Sequence, residues 1–288
     1  MDFTVLDAMP APLHSAVGRV RGCLRGRRVA VAYSGGVDSA VLLALAVAEL
    51  GTDRVVAVLG ISPSLAPDER AAAHAVADQI GIRVTEVRTD EASDPRYRAN
   101  GPDRCYFCKD ELFTRMGAAA DELGVDALAY GENADDALRP DRPGSRAATE
   151  HQVLRPLADA GMTKADVREV ARALDLQCAD KPAAPCLASR IPHFSEVLPE
   201  KLVAVAAAEQ CVRGLGFSDC RVRHHGEVAR LELPETELAR ALEPAVRRAL
   251  LDGVKACGFR HVTIDLAGIT SGMFTLSVLN SSGDSRRG

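Results

Sequence analysis

Residues 29–50 read VAVAYSGGVDSAVLLALAVAEL. The run Val29 to Ala32 is short and apolar, Ala40 to Ala48 is wholly apolar, and Ser34, Gly35, Gly36, Val37, Asp38 and Ser39 lie between them. A strand that turns through two glycines into a helix N-terminus creates an anion site, because the first backbone N–H groups of the helix have no intrahelical partner. Gly35 and Gly36 admit a phosphate chain to the backbone where a side chain would obstruct it. Ser34 and Ser39 add hydroxyl donors. Asp38 cannot favour an anion directly, so its presence implies a divalent cation, Mg²⁺, between carboxylate and phosphates. The competing reading is a glycine-rich turn in which Asp38 only caps the helix. The strand before, the helix after and the Asp-Ser pair together favour the phosphate site. It is not a Walker loop, since no Gly-Lys-Ser/Thr follows.

Outward from this stretch, apolar strand-like runs alternate with helical patterns. RVAVAY, RVVAVLG, RVTEVRT and DALAYG are the strands, and the segments after Asp38, from Pro67 and from Lys109 are the helices. That alternation predicts an α/β fold with a parallel sheet covered on both faces. Asp68 and Glu69 occupy the first turn of the Pro67 helix, where the macrodipole favours acids. Glu132 to Glu150 is polar and broken by Pro140, Pro143 and Gly144, which predicts a long loop at the sheet edge. Thr163 to Leu176 reads as a helix with a threonine cap, and the proline-rich stretch Asp180 to His193 leads to a hinge. The remainder predicts helix (PEKLVAVAAAEQCVRGLG), strand (CRVRHH), strand (VARLELP), helix (ETELARALEPAVRRALLDG) and strand (FRHVTIDL). The expected division is a nucleotide domain over 1–193, a small α+β domain over 194–280 for substrate or oligomer contacts, and a disordered tail over 281–288.

Composition bounds the function. At 288 residues and 47% hydrophobic, the chain can bury a large core. No apolar run approaches the ~18 residues of a membrane helix, and the acidic N-terminus MDFTVLDAMPAPLHS does not read as a signal peptide. A cytoplasmic protein is expected. A net charge of −5 argues against non-specific nucleic-acid binding.

Eight cysteines in a reducing compartment are thiols, metal ligands or catalysts rather than disulfides. Cys23, Cys178, Cys211, Cys220 and Cys257 read as small buried hydrophobes. Cys105 and Cys108, in GPDRCYFCKDELF just before a helix, have a spacing that can grip one metal centre. Cys186 lies in PCLASR. Three thiolates could hold three irons of a 4Fe-4S cluster and leave the fourth iron open. A structural zinc site would want four ligands and no partner pair of C-x-x-C or H-x-x-x-H type is evident elsewhere, a thioredoxin-like redox pair fits C-x-x-C but not the nucleotide loop, and unrelated buried thiols remain open for Cys186.

SGGVDS resembles the pyrophosphate-binding loop of the N-type ATP pyrophosphatases, the PP-loop superfamily, whose members cleave ATP between the α- and β-phosphates and adenylate a carboxylate or carbonyl oxygen. Together with CYFCK, YGENADD, RPG, KPAAPCLASRIP and RVRHHGE, it is similar to the LarE family of ATP-dependent sulfur transferases. That resemblance implies an adenine nucleotide alpha hydrolase-like domain and a small-molecule substrate, a pyridinium biscarboxylate mononucleotide. Its carboxylate is adenylated, and sulfur displaces AMP in nickel-pincer nucleotide biosynthesis. In single-cysteine members the cysteine equivalent to Cys186 gives up its own sulfur and becomes dehydroalanine. In three-cysteine members a 4Fe-4S cluster carries an extra sulfide. With Cys105, Cys108 and Cys186, this chain resembles the second type, its sulfur donor unnamed.

The resemblance further implies ATP contacts at Gly131, Asn133 and Lys181, and substrate contacts at Ser189, Arg190, Glu200, Arg221 and Arg223. Asp135 and Asp136 read equally as a polar turn, Arg142 as structural, and Glu200 as a first-turn helix acid. Arg221 and Arg223 alternate on one strand face, a spacing suited to gripping a phosphate or to an exposed face. The family also implies a homo-oligomer, hexameric, which no heptad pattern signals. Three rival functions compete with this one. A tRNA 2-thiolation enzyme should carry a basic surface, whereas thirteen Lys/Arg face twelve Asp/Glu from Leu187 onward. An ammonia-dependent amide synthetase would not use CYFC or PCLASR, and a nucleotide or iron–sulfur sensor has no need of Asp38.

Overall fold

The structure, a computed structural model, describes residues 1–138, 143–182 and 184–269. Arg142 and the expected tail 281–288 lie outside the described residues. The chain forms two compact units. One comprises Met1–Ser62, Pro67–Glu91 and Cys105–Ala184; the other comprises Pro63–Ala66, Ala92–Arg104 and the chain from Pro185 on.

The first unit is the expected parallel sheet. Its strands β1 (Val29–Ala32), β2 (Val55–Ile61), β3 (Val84–Arg88) and β4 (Ala127–Tyr130) are arranged 3-2-1-4. β1 is central, with Val29 paired to Val55 of β2 on one side and to Ala127 of β4 on the other. Val29, Ala30 and Val31 are fully buried, as a strand covered on both faces requires. The order reverses beside β1, because the chain leaves β1 toward β2 and returns with β4 on the opposite side. In open α/β sheets ligands bind at such a switch point, beyond the C-terminal ends of the strands. The helix Val37–Leu50 follows β1 and is buried from Ala40 to Val47. The helix Lys164–Ala173 begins with a capping box in which the Thr163 and Asp166 side chains each accept the other's backbone N–H.

The expected loop over Glu132 to Glu150 is corrected. Ala134–Ala137 is a helical turn capped by Asn133, and Pro143–Glu150 is a two-turn helix. Pro143 starts that helix rather than breaking it, since the first turn has no intrahelical N–H bond to lose. Gly144, Ala147 and Ala148 form its buried stripe, small enough for close packing.

In the second unit the helix Pro199–Gly214 packs on β5 (Arg221–His225), which pairs antiparallel with β6 (Val228–Glu232). β6 pairs in parallel with β7 (His261–Ile264). Gly226, at φ 63°, supplies the left-handed residue of the two-residue turn between β5 and β6. The expected helix ETELARALEPAVRRALLDG is corrected to a 3₁₀ turn at Glu235–Glu237 and helices at Leu238–Ala241 and Pro244–Ala256. Pro244 drives Glu243 to ψ 135°, out of the helical region, and restarts the chain as a first-turn residue.

Candidate active site

At the end of β1 the chain remains extended through Tyr33, whose N–H donates to the Val58 carbonyl at 2.8 Å. Its hydroxyl donates to the Ala73 carbonyl at 2.8 Å, and burial pushes the phenol up. The loop then closes on itself. Ser34 N–H donates to Ser39 Oγ at 3.1 Å, and Ser39 Oγ donates to the Gly36 carbonyl at 3.0 Å. The two loop glycines serve different ends. Gly35 has φ 73°, and a Cβ there would lie 2.7 Å from Ala73 Cα, so the fold itself demands glycine. Gly36 has an ordinary φ of −75°, and its Cβ would meet only Ser34 Oγ at 3.4 Å. Its missing side chain therefore leaves room for something outside the chain.

Asp38, in the first turn of the Val37–Leu50 helix, is half-buried and holds two partners. Asn133 Nδ2 donates to its Oδ1 at 3.0 Å, and Lys164 Nζ donates to its Oδ2 at 2.6 Å. Gly131 brings β4 against this turn, since a Cβ at 131 would lie 2.7 Å from both Asp38 C and Ser39 N. The segment YGENADD thus meets SGGVDS through a backbone contact at Gly131 and a side-chain bond at Asn133. Asp135 is also placed here, accepting the Lys164 backbone N–H at 2.8 Å. Lys181 is paired with Glu69 at 2.6 Å, in the first turn of the Pro67–Ile80 helix. Beneath the loop, burial pushes the Cys178 thiol up, and the charges of Lys181, Asp38 and Lys164 all reach it. Two ion pairs, Lys164–Asp38 and Lys181–Glu69, therefore lie about Cys178.

Lys164 is one site residue that the sequence alone does not single out. Its only signal is its place directly after the Thr163 cap, where a cation opposes the helix dipole.

The helix Arg104–Ala118 carries the C-x-x-C pair. Cys105 is exposed and Cys108 half-buried. Tyr106 donates to Glu150 Oε2 at 2.5 Å and takes the Arg146 guanidinium over its ring at 3.8 Å. Lys109 Nζ stands 4.0 Å from the centre of the Tyr130 ring. These contacts seat the CYFCK turn beside the end of β4.

In the second unit Cys186 is exposed, at the head of the 3₁₀ turn Leu187–Arg190. Arg190 is buried and holds that turn together. Its Nη1 donates to the carbonyls of Pro185 (2.5 Å) and Cys186 (3.3 Å) and to Ser189 Oγ (3.0 Å), while Nε donates to Glu209 Oε1 at 2.8 Å. Arg223 grips Glu232 with Nε and Nη2 at 2.9 and 2.8 Å, and its Nη1 donates to the Ser189 carbonyl at 2.9 Å. Arg221 is buried, and its pKa is pushed down by burial and then by the Arg190 and Arg223 charges. Cys186, Ser189, Arg190, Arg221 and Arg223 therefore form one cluster, with Glu209 and Glu232 as counter-charges that sequence reasoning did not find. Glu200 is exposed, in the first turn of the Pro199–Gly214 helix.

Among the described residues no three His, Cys, Asp or Glu side chains surround a metal position. The donor chemistry still suits two groups. Mg²⁺ typically takes one or two carboxylates together with substrate phosphates, and Asp38 offers a hard oxygen beside the open Gly36. Cys105 and Cys108 in the first unit, and Cys186 in the second, carry thiols, the soft donors that ligate iron–sulfur clusters.

A glycine loop at a switch point, with a carboxylate and a lysine beside it, suits the binding of a phosphate chain, and likeness to known proteins agrees. Residues 19–116 match the NAD synthase family. The protein is an ATP-dependent enzyme of the PP-loop class. Its relatives narrow the class. The chain is 42% identical over 245 residues to an uncharacterized protein of Synechocystis, covering 85% of this chain and 91% of that one. It is 36% identical over 248 residues to the pyridinium-3,5-bisthiocarboxylic acid mononucleotide synthase of Lactiplantibacillus plantarum, covering 85% and 88%. A tRNA-specific 2-thiouridylase of Sphingopyxis alaskensis is 30% identical over 213 residues but covers only 60% and 54%. The chain belongs to the LarE family of ATP-dependent sulfur transferases. Among the described residues no helix is long and apolar enough to cross a membrane.

Proposed function

We propose that this protein uses ATP and Mg²⁺ to adenylate a carboxylate of pyridinium biscarboxylic acid mononucleotide, and that sulfur then replaces AMP to give the thiocarboxylate used in nickel-pincer nucleotide biosynthesis. The observation that carries this reading is likeness over most of both chains to a synthase named for that product.

A carboxylate is a poor electrophile until its oxygen becomes part of a good leaving group, and AMP serves that purpose. The 34–39 loop binds the pyrophosphate, its backbone N–H groups facing the charge. Asp38 would hold Mg²⁺, which when bound supplies charge neutralisation for the phosphates. Asn133 orients Asp38, and Lys164 and Lys181 balance the phosphate charge. Arg221 and Arg223 bind the substrate phosphate, with Ser189 and Glu200 contributing further contacts and Arg190 holding the Cys186 turn in shape. Cys105, Cys108 and Cys186 would hold a 4Fe-4S cluster, which when bound supplies a labile sulfide as sulfur source. Sacrifice of the Cys186 sulfur is the alternative within this reading. The working form is a cytoplasmic homo-oligomer, hexameric by family resemblance, with the nucleotide bound by the first unit and the substrate by the second, whose main segment starts at Pro185 rather than at 194.

Pyrophosphate release from ATP tests the reading. It should require the pyridinium biscarboxylate nucleotide and vanish in Asp38→Ala. Release that depends on tRNA instead would favour 2-thiolation, a reading supported by the partial likeness to thiouridylases. Release that depends on ammonia would favour an amide synthetase.

A further inference from the structure

Two cysteines outside the proposed chemistry lie together. The helices Pro199–Gly214 and Pro244–Ala256 pack closely at Gly253, where a Cβ would fall on the Sγ of Cys211. Cys257 lies four residues after Gly253, so both share one face at the end of their helix. The Cys257 sulfur is 3.2 Å from the Gly253 carbonyl oxygen. Both sulfurs therefore flank one glycine. Burial and then Cys211 itself push the Cys257 thiol up, as neighbouring thiols competing for ionisation do. Both are half-buried, whereas Cys178 and Cys220 are enclosed.

We propose that Cys211 and Cys257 are a redox-active dithiol, closed to an intramolecular disulfide by small-molecule disulfides of the glutathione type. One cysteine thiolate attacks the small disulfide, forming a mixed disulfide and releasing one thiol. The other thiolate then attacks the protein sulfur of that mixed disulfide, forming the Cys211–Cys257 bond and releasing the second thiol. Two electrons pass from the protein to the small disulfide, and the two cysteine protons leave on the released thiols. Gly253 makes this possible, because any larger residue would displace the Cys211 sulfur. The bond staples the Pro244–Ala256 helix to the helix that carries Glu209. Glu209 in turn grips Arg190 and so supports the Cys186 turn. Oxidation would stiffen that support.

Full-length protein treated with oxidised glutathione, blocked with N-ethylmaleimide and digested with trypsin without reduction gives the test. The expected product is Leu202–Arg213 joined to Ala256–Arg260. It should disappear on reduction, and Cys257→Ser should leave Cys211 as a glutathione adduct. The oxidised wild type should melt several degrees higher than the reduced form. Separate glutathione or maleimide adducts on the two cysteines, without the joined peptide, would overturn the proposal. So would a joined peptide formed equally well in guanidinium-unfolded protein.

Discussion

Lys164 Nζ stands 2.6 Å from Asp38 Oδ2 and so ties together the first turns of two helices at the switch point of the sheet. An ammonium at a helix N-terminus opposes the dipole. Its local advantage is the Asp38 carboxylate, and an incoming polyphosphate would offer a stronger anion. Lys164→Met is therefore expected to reduce AMP-forming turnover by about 10²- to 10³-fold, the usual loss for one preorganised electrostatic contact. Thermal stability should change little, since part-exposed pairs contribute ~0–1 kcal/mol. Steady-state pyrophosphate release with parallel melting curves checks both.

The two loop glycines should separate under substitution. Gly35→Ala places a Cβ against Ala73 at φ 73° and is expected to destabilise the fold by about 1–3 kcal/mol in urea unfolding. Gly36→Ala meets only Ser34 Oγ at 3.4 Å, so stability should stay within about 0.5 kcal/mol. ATP binding by titration calorimetry should nevertheless weaken, because the methyl group fills the phosphate approach.

Arg190 and Glu209 form a pair whose side chains are 7% and 2% exposed. Removing Arg190 leaves the buried Glu209 with only the more exposed Arg213, 3.5 Å away, as a counter-charge, so Arg190→Met is expected to cost about 3 kcal/mol in urea unfolding, the low end for breaking a buried pair. Replacing both by Met should recover part of that loss. Full recovery is not expected, because Glu209 also accepts the Val222 N–H at 3.1 Å.

Alkaline pH gives a test of burial. Cys220 is pushed up to about 12, first by burial and then by Glu209. Its folded-state pKa therefore lies above its unfolded value near 9, and the unfolded chain loses the proton first. The stability this thiol contributes is complete below pH ~9 and declines as pH rises toward ~12. Cys220→Ala should flatten the loss of urea stability over that window. Thiol labelling at pH 8 should find Cys105 and Cys186 reactive and Cys220 protected.

Much of this was legible in the chain. SGGVDS between two apolar runs located β1, the Val37–Leu50 helix and the loop, because glycines and a buried strand leave few alternatives. Thr163 marked a helix start, but the lysine after it looked like any solvated first-turn residue; only folding brings it to Asp38. Pro143 and Gly144 misled because proline and small residues suit a first turn and a close contact as well as they suit a loop. The alternation of Arg221 and Arg223 suits a phosphate grip or an exposed strand face, and the structure buries both arginines, against the exposed face. The counter-charge at Glu232 was hidden, because it arises from diagonal pairing across β5 and β6. Glu209, nineteen positions from Arg190, had no local signal at all.

The proposed reaction turns on sulfur transfer to an adenylated pyridinium carboxylate. The direct measurement is mass spectrometry of the nucleotide after incubation without oxygen with ATP, Mg²⁺ and the iron- and sulfide-reconstituted protein. The expected product is a thiocarboxylate that forms together with AMP and is lost in Asp38→Ala and Cys186→Ala, with adenylation surviving in the latter. An unchanged pyridinium nucleotide beside a thiolated tRNA, or undiminished thiocarboxylate from Cys186→Ala, would contradict it.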